Sequence, residues 1–400
     1  MTPTITIAPE DPIPDYLIGD VRSKLAYADE AIQSATISAN GQSISLVLRS
    51  VLDPSRQAHL EEKVQRVVTS MVKGAMKPKV KILADCLDKQ VPFAEDPHIE
   101  LLRRGEIFQE DIGIFTVGPL ISRLIAFFEQ RLLTVADHFR ASPYRFPALL
   151  PAKFLDRIGY YRAFAHSLNF VTHLREDLNA IEAFAANACC NEHGLVAPEN
   201  SFAQVKALLS PAICFHLYYS LADKTLPNAN VIATAVGNCF RYESSNLVSL
   251  ERLWNFTMRE VIFVGAKDFV LASREAAQKR MHDILEELGL AYRVESANDP
   301  FFIGEFRQQV AFQSAFQLKY EIRAKLPFKN GTLAIGSYNY HQDFFGRNLN
   351  IKLADGTAAH TGCVAFGLER MAYAFLAQYG FEPSRWPAAV RAGVPASTDI

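Results

Sequence analysis

A chain of 400 residues with 49% hydrophobic content is long enough for two or three domains with a sizeable core, and its formal net charge of −2 lacks the basic footprint of a nucleic-acid-binding domain. Met1–Leu17 has no basic segment ahead of an apolar core, and no apolar run reaches the roughly eighteen residues of a membrane span, so neither a signal peptide nor a membrane anchor is expected. The six cysteines then read as reduced thiols or metal ligands of a cytoplasmic protein.

Residues 1–110 read as a small α+β module. Ala35-Thr36-Ile37-Ser38 and Ser43-Ile44-Ser45-Leu46-Val47-Leu48 flank Asn40-Gly41 as the arms of a hairpin. Pro54 opens a helical stretch, with Leu60, Val64, Val67, Val68 and Met71 on one face over 59–73. Acids outnumber bases in this module, so the cluster Lys73, Lys77, Lys79 and Lys81 reads as a solvated face. From Pro119 to Phe139, apolar residues at Leu120, Ile121, Leu124, Ile125, Phe127, Phe128, Leu132, Leu133 and Val135 predict a long helix. An extended segment, Tyr144 to Leu150, follows it. Strands are expected at 230–240 and 256–264, then a serine-capped helix from Ser273 to Leu288 with Glu275 in its first turn. Further strands are expected at 331–339 and 348–353. Several strands with few helices between them predict an antiparallel sheet, not a doubly wound one.

Two segments carry chemistry. The first is Cys239-Phe240-Arg241-Tyr242-Glu243, a loop, then Arg252-Leu253-Trp254-Asn255-Phe256-Thr257-Met258-Arg259-Glu260. The second is Gly362-Cys363-Val364-Ala365-Phe366-Gly367-Leu368-Glu369-Arg370, where small and apolar residues alternate into the head of an apolar helix. In this order they resemble motifs 2 and 3 of the class II aminoacyl-tRNA synthetases, and the helix and strand over 120–150 look like motif 1, which builds the homodimer interface in that family. Activating an amino acid brings a carboxylate against the α-phosphorus of ATP, and fixed cations must offset the repulsion of the two anions. Arg241 is expected there, because a guanidinium fork bridges phosphate and carboxylate oxygens together. Glu243 falls on the same strand face, and the resemblance implies that it accepts from the adenine amino group. Likewise it implies Arg252 near the γ-phosphate, Phe256 stacked on adenine, and Arg370 clamping the triphosphate from the other side.

Ile213-Cys214-Phe215, Met258 to Gly265, Asn339 to Gly346 and His360-Thr361-Gly362-Cys363 narrow the resemblance to the atypical, zinc-dependent seryl-tRNA synthetases and their shortened relatives, the amino acid:[carrier protein] ligases. This implies zinc on Cys214, Glu260 and Cys363, a small amino acid whose amino group takes the remaining position, and Asn339 as a substrate contact. The chemistry is coherent, since three protein ligands leave one coordination site open. Cys189-Cys190 beside His193, Cys86 and Cys239 read as structural. The strand Leu333-Ala334-Ile335-Gly336-Ser337 lacks the magnesium-binding acid of the seryl enzymes, which leaves the carboxylate for the magnesium of ATP open, with Glu321 as a candidate. Phe164-Ala165 also departs from the Phe-Pro pair often seen in relatives.

The expected fold is therefore α+β: a class II synthetase-like antiparallel sheet flanked by helices over 111–400, with a smaller N-terminal α+β module over 1–110. The expected activity is ATP-dependent formation of an aminoacyl-adenylate. Arg370 is followed by about thirty residues up to Ile400, so no C-terminal anticodon-binding domain is expected, and the N-terminal module lacks long charged heptads. The acceptor is accordingly expected to be the phosphopantetheine thiol of a carrier protein instead of tRNA. Atypical seryl-type charging of tRNA and a non-catalytic regulatory paralogue are the alternatives.

Overall fold

The computed structural model describes residues 2–73, 75, 77, 80–192, 194–227, 230–297 and 318–394; Lys79, His193 and the chain beyond Val394 lie outside them. The first strands, β1 (Thr4–Ile7), β2 (Ile32–Ile37) and β3 (Ile44–Leu48), form an antiparallel sheet in the order β1-β3-β2. The expected hairpin pairs Thr36 with Ser45 and Ile37 with Ile44. Gly41 turns it at φ +68°, and a Cβ there would run into the Ile13 carbonyl. Helices Ile18–Leu25 and Pro54–Val72 share an apolar cluster with this sheet, from Ile7 through Leu60, Val64 and Val68 to Val72. The second helix starts where Pro54 predicts, because the Asp53 carboxylate accepts the Arg56 N–H at 2.9 Å and the proline has no N–H to lose.

Beyond this unit the chain changes partners. β4 (Ile82–Asp85) pairs antiparallel with a much later strand, β15 (Tyr292–Ser296). Leu101 of the helix Pro97–Arg103 and Ile107 of the hairpin β5 (Ile107–Asp111) and β6 (Ile114–Val117) enter the main core. Residues 82–117 thus pack with the large sheet, although the sequence grouped those up to 110 with the N-terminal module.

That sheet also contains β7 (Ser142–Pro143), β13 (Val231–Phe240), β14 (Asn255–Gly265), β16 (Lys319–Leu326), β17 (Gly331–Gln342) and β18 (His360–Gly367). Its eight strands run in the order β4-β15-β16-β17-β18-β14-β13-β7. Every neighbouring pair is antiparallel except β7 with β13. The expected antiparallel α+β architecture is the observed one.

Pleating sends successive side chains to opposite faces, and the two faces differ. Val261, Phe263, Ile322, Tyr338, Val364 and Phe366 point into one core with the helices Pro119–His138, Lys267–Glu287 and Leu368–Tyr379. The long helix begins at its proline as predicted and buries Ile121, Leu124, Phe128, Leu132 and Val135. Burying five such side chains contributes roughly 1.5–3 kcal/mol each. The opposite face carries Glu260, Asn339 and Cys363. Three short strands, β8 (Leu149–Pro151), β9 (Phe170–Val171) and β12 (Ala207–Leu209), form a separate sheet with β12 in the middle, and its Leu150 and Leu208 share an apolar cluster with Ile262 and Cys363.

Two expectations need correction. Ser273 does not cap its helix: the helix runs Lys267–Glu287, its N-cap is Ala266, and Ser273 is buried on its inner face with Val270 and Ala277. The apolar stripe simply continues one turn and a half further back than the serine suggested. Residues 348–353 are not a strand; a helix, Phe344–Asn348, precedes them and Lys352 makes only isolated bridges to Thr225 and Ala358. Among the described residues no helix is long and apolar enough to cross a membrane.

Candidate active site

Register assembles the site on one face of the sheet. Cys363 of β18 lies opposite Asn339 of β17 on one side and Ile262 of β14 on the other. Glu260 stands two residues from Ile262 and so shares its face. Cys214 arrives from outside the sheet, at the first turn of the helix Cys214–Ser220. The ligand atoms of Cys214, Glu260 and Cys363 all lie within 4.8 Å of one another, and all three residues are buried. The Asn339 amide reaches the Cys363 sulfur at 3.5 Å and the Ser337 hydroxyl at 3.0 Å.

The donor set suits zinc: two thiols and a carboxylate give three protein ligands and leave a fourth position open. One Glu260 oxygen, Oε1, accepts the Ile213 N–H at 3.2 Å, while Oε2 is buried and no hydrogen bond reaches it. Contact with Cys363, together with burial, pushes the Cys214 thiol well up. Burial also raises Glu260. Three groups that would each become anionic thus share one buried pocket, where the Ile213 N–H and the charge of Arg241 act on Glu260 and a dication would relieve the crowding of all three.

The arginines and their partners lie along the same face. Arg241 follows β13 directly; its Nε–H donates to the Pro211 carbonyl at 2.9 Å, and its guanidinium sits 5.4 Å from the centre of the Phe256 ring. Glu243 and Arg252 form an ion pair across the loop. Burial works to raise the Glu243 carboxyl, but Arg252, Arg370 and Arg241 outweigh it and hold it below the usual carboxylate range. Arg370, in the first turn of the helix Leu368–Tyr379, donates to the Glu251 carbonyl at 2.6 Å and the Ala334 carbonyl at 3.3 Å. Burial pulls its pKa down, and Arg252 and Arg241 pull in the same direction. Cations held together despite mutual repulsion are matched to a polyanion. The nine residues singled out from the sequence therefore fall into two adjoining groups.

Other residues shape the site without a signal in the sequence strong enough to find them. Glu369, next to Arg370, is buried, and both its oxygens accept the Thr257 N–H at 2.9 Å, tying the helix to β14. Trp254 donates its indole N–H to Asn169 and packs edge-on against Tyr242 with ring centres 4.9 Å apart. Glu321, the magnesium candidate, sits on the site face of β16 with Lys319 on one oxygen at 3.2 Å and Arg323 on the other at 2.7 Å. Cys86 and Cys239, and the exposed Cys189 and Cys190, are free thiols.

No family model matches the chain. It is 35% identical over 252 residues to amino acid–[acyl-carrier-protein] ligase 1 of Bradyrhizobium diazoefficiens, an alignment covering 62% of this chain and 74% of that relative. A type-2 serine–tRNA ligase of Methanococcus aeolicus is 24% identical over 313 residues, covering 76% of this chain and 60% of the relative. Among solved structures, the M. kandleri seryl-tRNA synthetase crystallised with A. aeolicus tRNASec superposes with a TM-score of 0.71 at 20% identity, over 99% of this chain and 79% of that one; that likeness establishes the class II synthetase fold. The first of these, by its identity and the share of its length that is matched, decides the family: the chain belongs to the amino acid–[acyl-carrier-protein] ligases.

Proposed function

We propose that this ligase activates a small amino acid with ATP and passes the aminoacyl group to the phosphopantetheine thiol of a carrier protein. In the first step a carboxylate oxygen bonds to the α-phosphorus and pyrophosphate leaves; in the second the thiolate displaces AMP from the acyl carbon, giving a thioester. Arg241 orients the carboxylate and α-phosphate, and Phe256 stacks under the adenine, whose amino group donates to Glu243. Arg252 and Arg370 take the β- and γ-phosphates, an arrangement in which the charge that develops on pyrophosphate meets cations already in place. The nucleotide enters as its magnesium complex, for which Glu321 remains the candidate acid. Cys214, Glu260 and Cys363 would hold a zinc ion, which would supply a Lewis-acidic position for the amino group of the substrate, and Asn339 beside them fixes the approach.

The observation that carries this reading is the shared face: an arginine cluster and a three-ligand metal set stand side by side on one sheet, so carboxylate and amine of one small molecule can be held at once. The carrier acceptor rests on the relative whose name includes it, and a thiolate needs no further covalent help from the enzyme to attack an activated acyl group. We further propose a homodimer, and a folded N-terminal unit that ends near residue 73.

One experiment tests the reaction and its acceptor. The protein is incubated with labelled small amino acids, ATP and either phosphopantetheinylated carrier protein or total tRNA, alongside Arg241→Ala. Label on the carrier and amino-acid-dependent ATP–pyrophosphate exchange, both lost in a folded Arg241→Ala protein, are expected. Label on tRNA alone turns the choice to the seryl-type alternative, and exchange that survives the substitution removes Arg241 from the site.

A further inference from the structure

The loop between Arg241 and Arg252 is held from outside the large sheet. Just after the helix Ile18–Leu25, the Tyr27 hydroxyl donates to the Tyr242 carbonyl at 2.8 Å. In the reverse direction, the Ser244 hydroxyl donates to the Ala26 carbonyl at 3.0 Å, and the Asn246 amide donates to the Ser23 carbonyl at 3.3 Å. Three hydrogen bonds thus join residues 23–27 of the N-terminal unit to residues 242–246 of the loop, on both sides of Glu243 and ahead of Arg252.

The loop has reason to need them. Ser244 adopts φ +52°, a left-handed conformation that costs a non-glycine residue about 1–2 kcal/mol and that persists only where surroundings hold it. Tyr242 is fixed at both ends of its backbone, since its N–H donates to the Ser167 carbonyl at 3.1 Å while Tyr27 takes its carbonyl. The Tyr27 ring packs edge-on against His166 with centres 4.9 Å apart. Burial, with Glu243 nearby, raises the Tyr27 phenol so far that it stays a donor. Asp20 on the adjoining helix also interacts electrostatically with Arg252.

We propose that the N-terminal unit is a working part of the nucleotide site, clamping the loop between Arg241 and Arg252 in the shape that receives ATP, with Tyr27 as the positioning residue. This rests on the adenylate-forming reading above. The contacts go to backbone carbonyls and to loop side chains other than Arg241, Glu243 and Arg252, so the clamp organises the three without taking their place. A loop ordered beforehand does not lose its conformational entropy when ATP binds. Its release should therefore weaken ATP binding and leave the chemical step alone.

The test compares wild type, Tyr27→Phe and Ser244→Ala in ATP–pyrophosphate exchange, titrating ATP at saturating amino acid, and in equilibrium binding of a non-hydrolysable ATP analogue. Tyr27→Phe is expected to raise KM for ATP and Kd for the analogue about fivefold, the worth of one net hydrogen bond, with kcat and KM for the amino acid unchanged. Ser244→Ala should move both in the same direction and provides the answer if Tyr27→Phe does not fold. Unchanged or lowered values in the folded variants overturn the clamp; a lowered KM would mark the contact as a restraint. Should the wild type show no exchange with any amino acid, the adenylate reading fails by itself, and the analogue titration still decides the clamp.

Discussion

Cys363 is the most connected member of the candidate metal set, since its sulfur lies in the Cys214–Glu260 cluster and also meets the Asn339 amide. A serine there keeps the volume but offers a hydroxyl that does not ionise near neutrality, and it is a poor zinc ligand. Metal analysis of the purified protein should find about one zinc per chain, falling at least tenfold in Cys363→Ser and Cys214→Ala while the fold persists. A wild-type protein that binds no zinc, or variants that keep it, would refute the ligand set. Cys214, Glu260 and Cys363 were legible only through a family resemblance, because no local spacing joins residues brought together by a helix start and two strands. Glu369 and Tyr27 were not legible at all: nothing in a chain announces which carboxylate will meet a distant N–H.

At the level of the secondary-structure element, β18 depends on a residue that touches no substrate. Gly362 faces the helix Lys267–Glu287, and a Cβ there would lie 2.7 Å from the Asn339 carbonyl and 2.8 Å from a Val270 methyl. The first neighbour is backbone and cannot rotate away, so strand or helix must shift. Gly362→Ala should destabilise the protein by about 1–3 kcal/mol in urea unfolding; a midpoint equal to wild type would show that the strands have slack. The long periodic elements were readable because burial dictates them. The helix Lys267–Glu287 was read short, since a serine is a common cap, yet here the packing of Val270 and Ser273 against the sheet sets the start. Residues 348–353 read as a strand because local alternation cannot show that the segment has no sheet edge to join.

For the molecule as a whole, the boundary of the N-terminal unit was hidden in the sequence because β4 finds its partner, β15, some two hundred positions later along the chain. Ile99, Phe108 and Ile112, shortly ahead of the helix Pro119–His138 in the chain, are exposed, Phe108 by 66%, and large apolar side chains left exposed next to the expected motif 1 elements in sequence suit a partner copy. Sedimentation velocity at micromolar concentration should give twice the chain mass, and Phe108→Glu should shift the population toward monomer. A wild-type protein that sediments as a monomer would remove the dimer. The division of the sheet into a face packed on the three long helices and a face that carries the candidate site has a further result. The two sets of side chains are interleaved along the same strands, so the site has a reading frame: losing one residue within β18 would turn Cys363 toward the helices and Val364 toward the metal ligands. Substitutions can alter the candidate site one position at a time, whereas a single-residue insertion or deletion in a central strand exchanges core and site residues together.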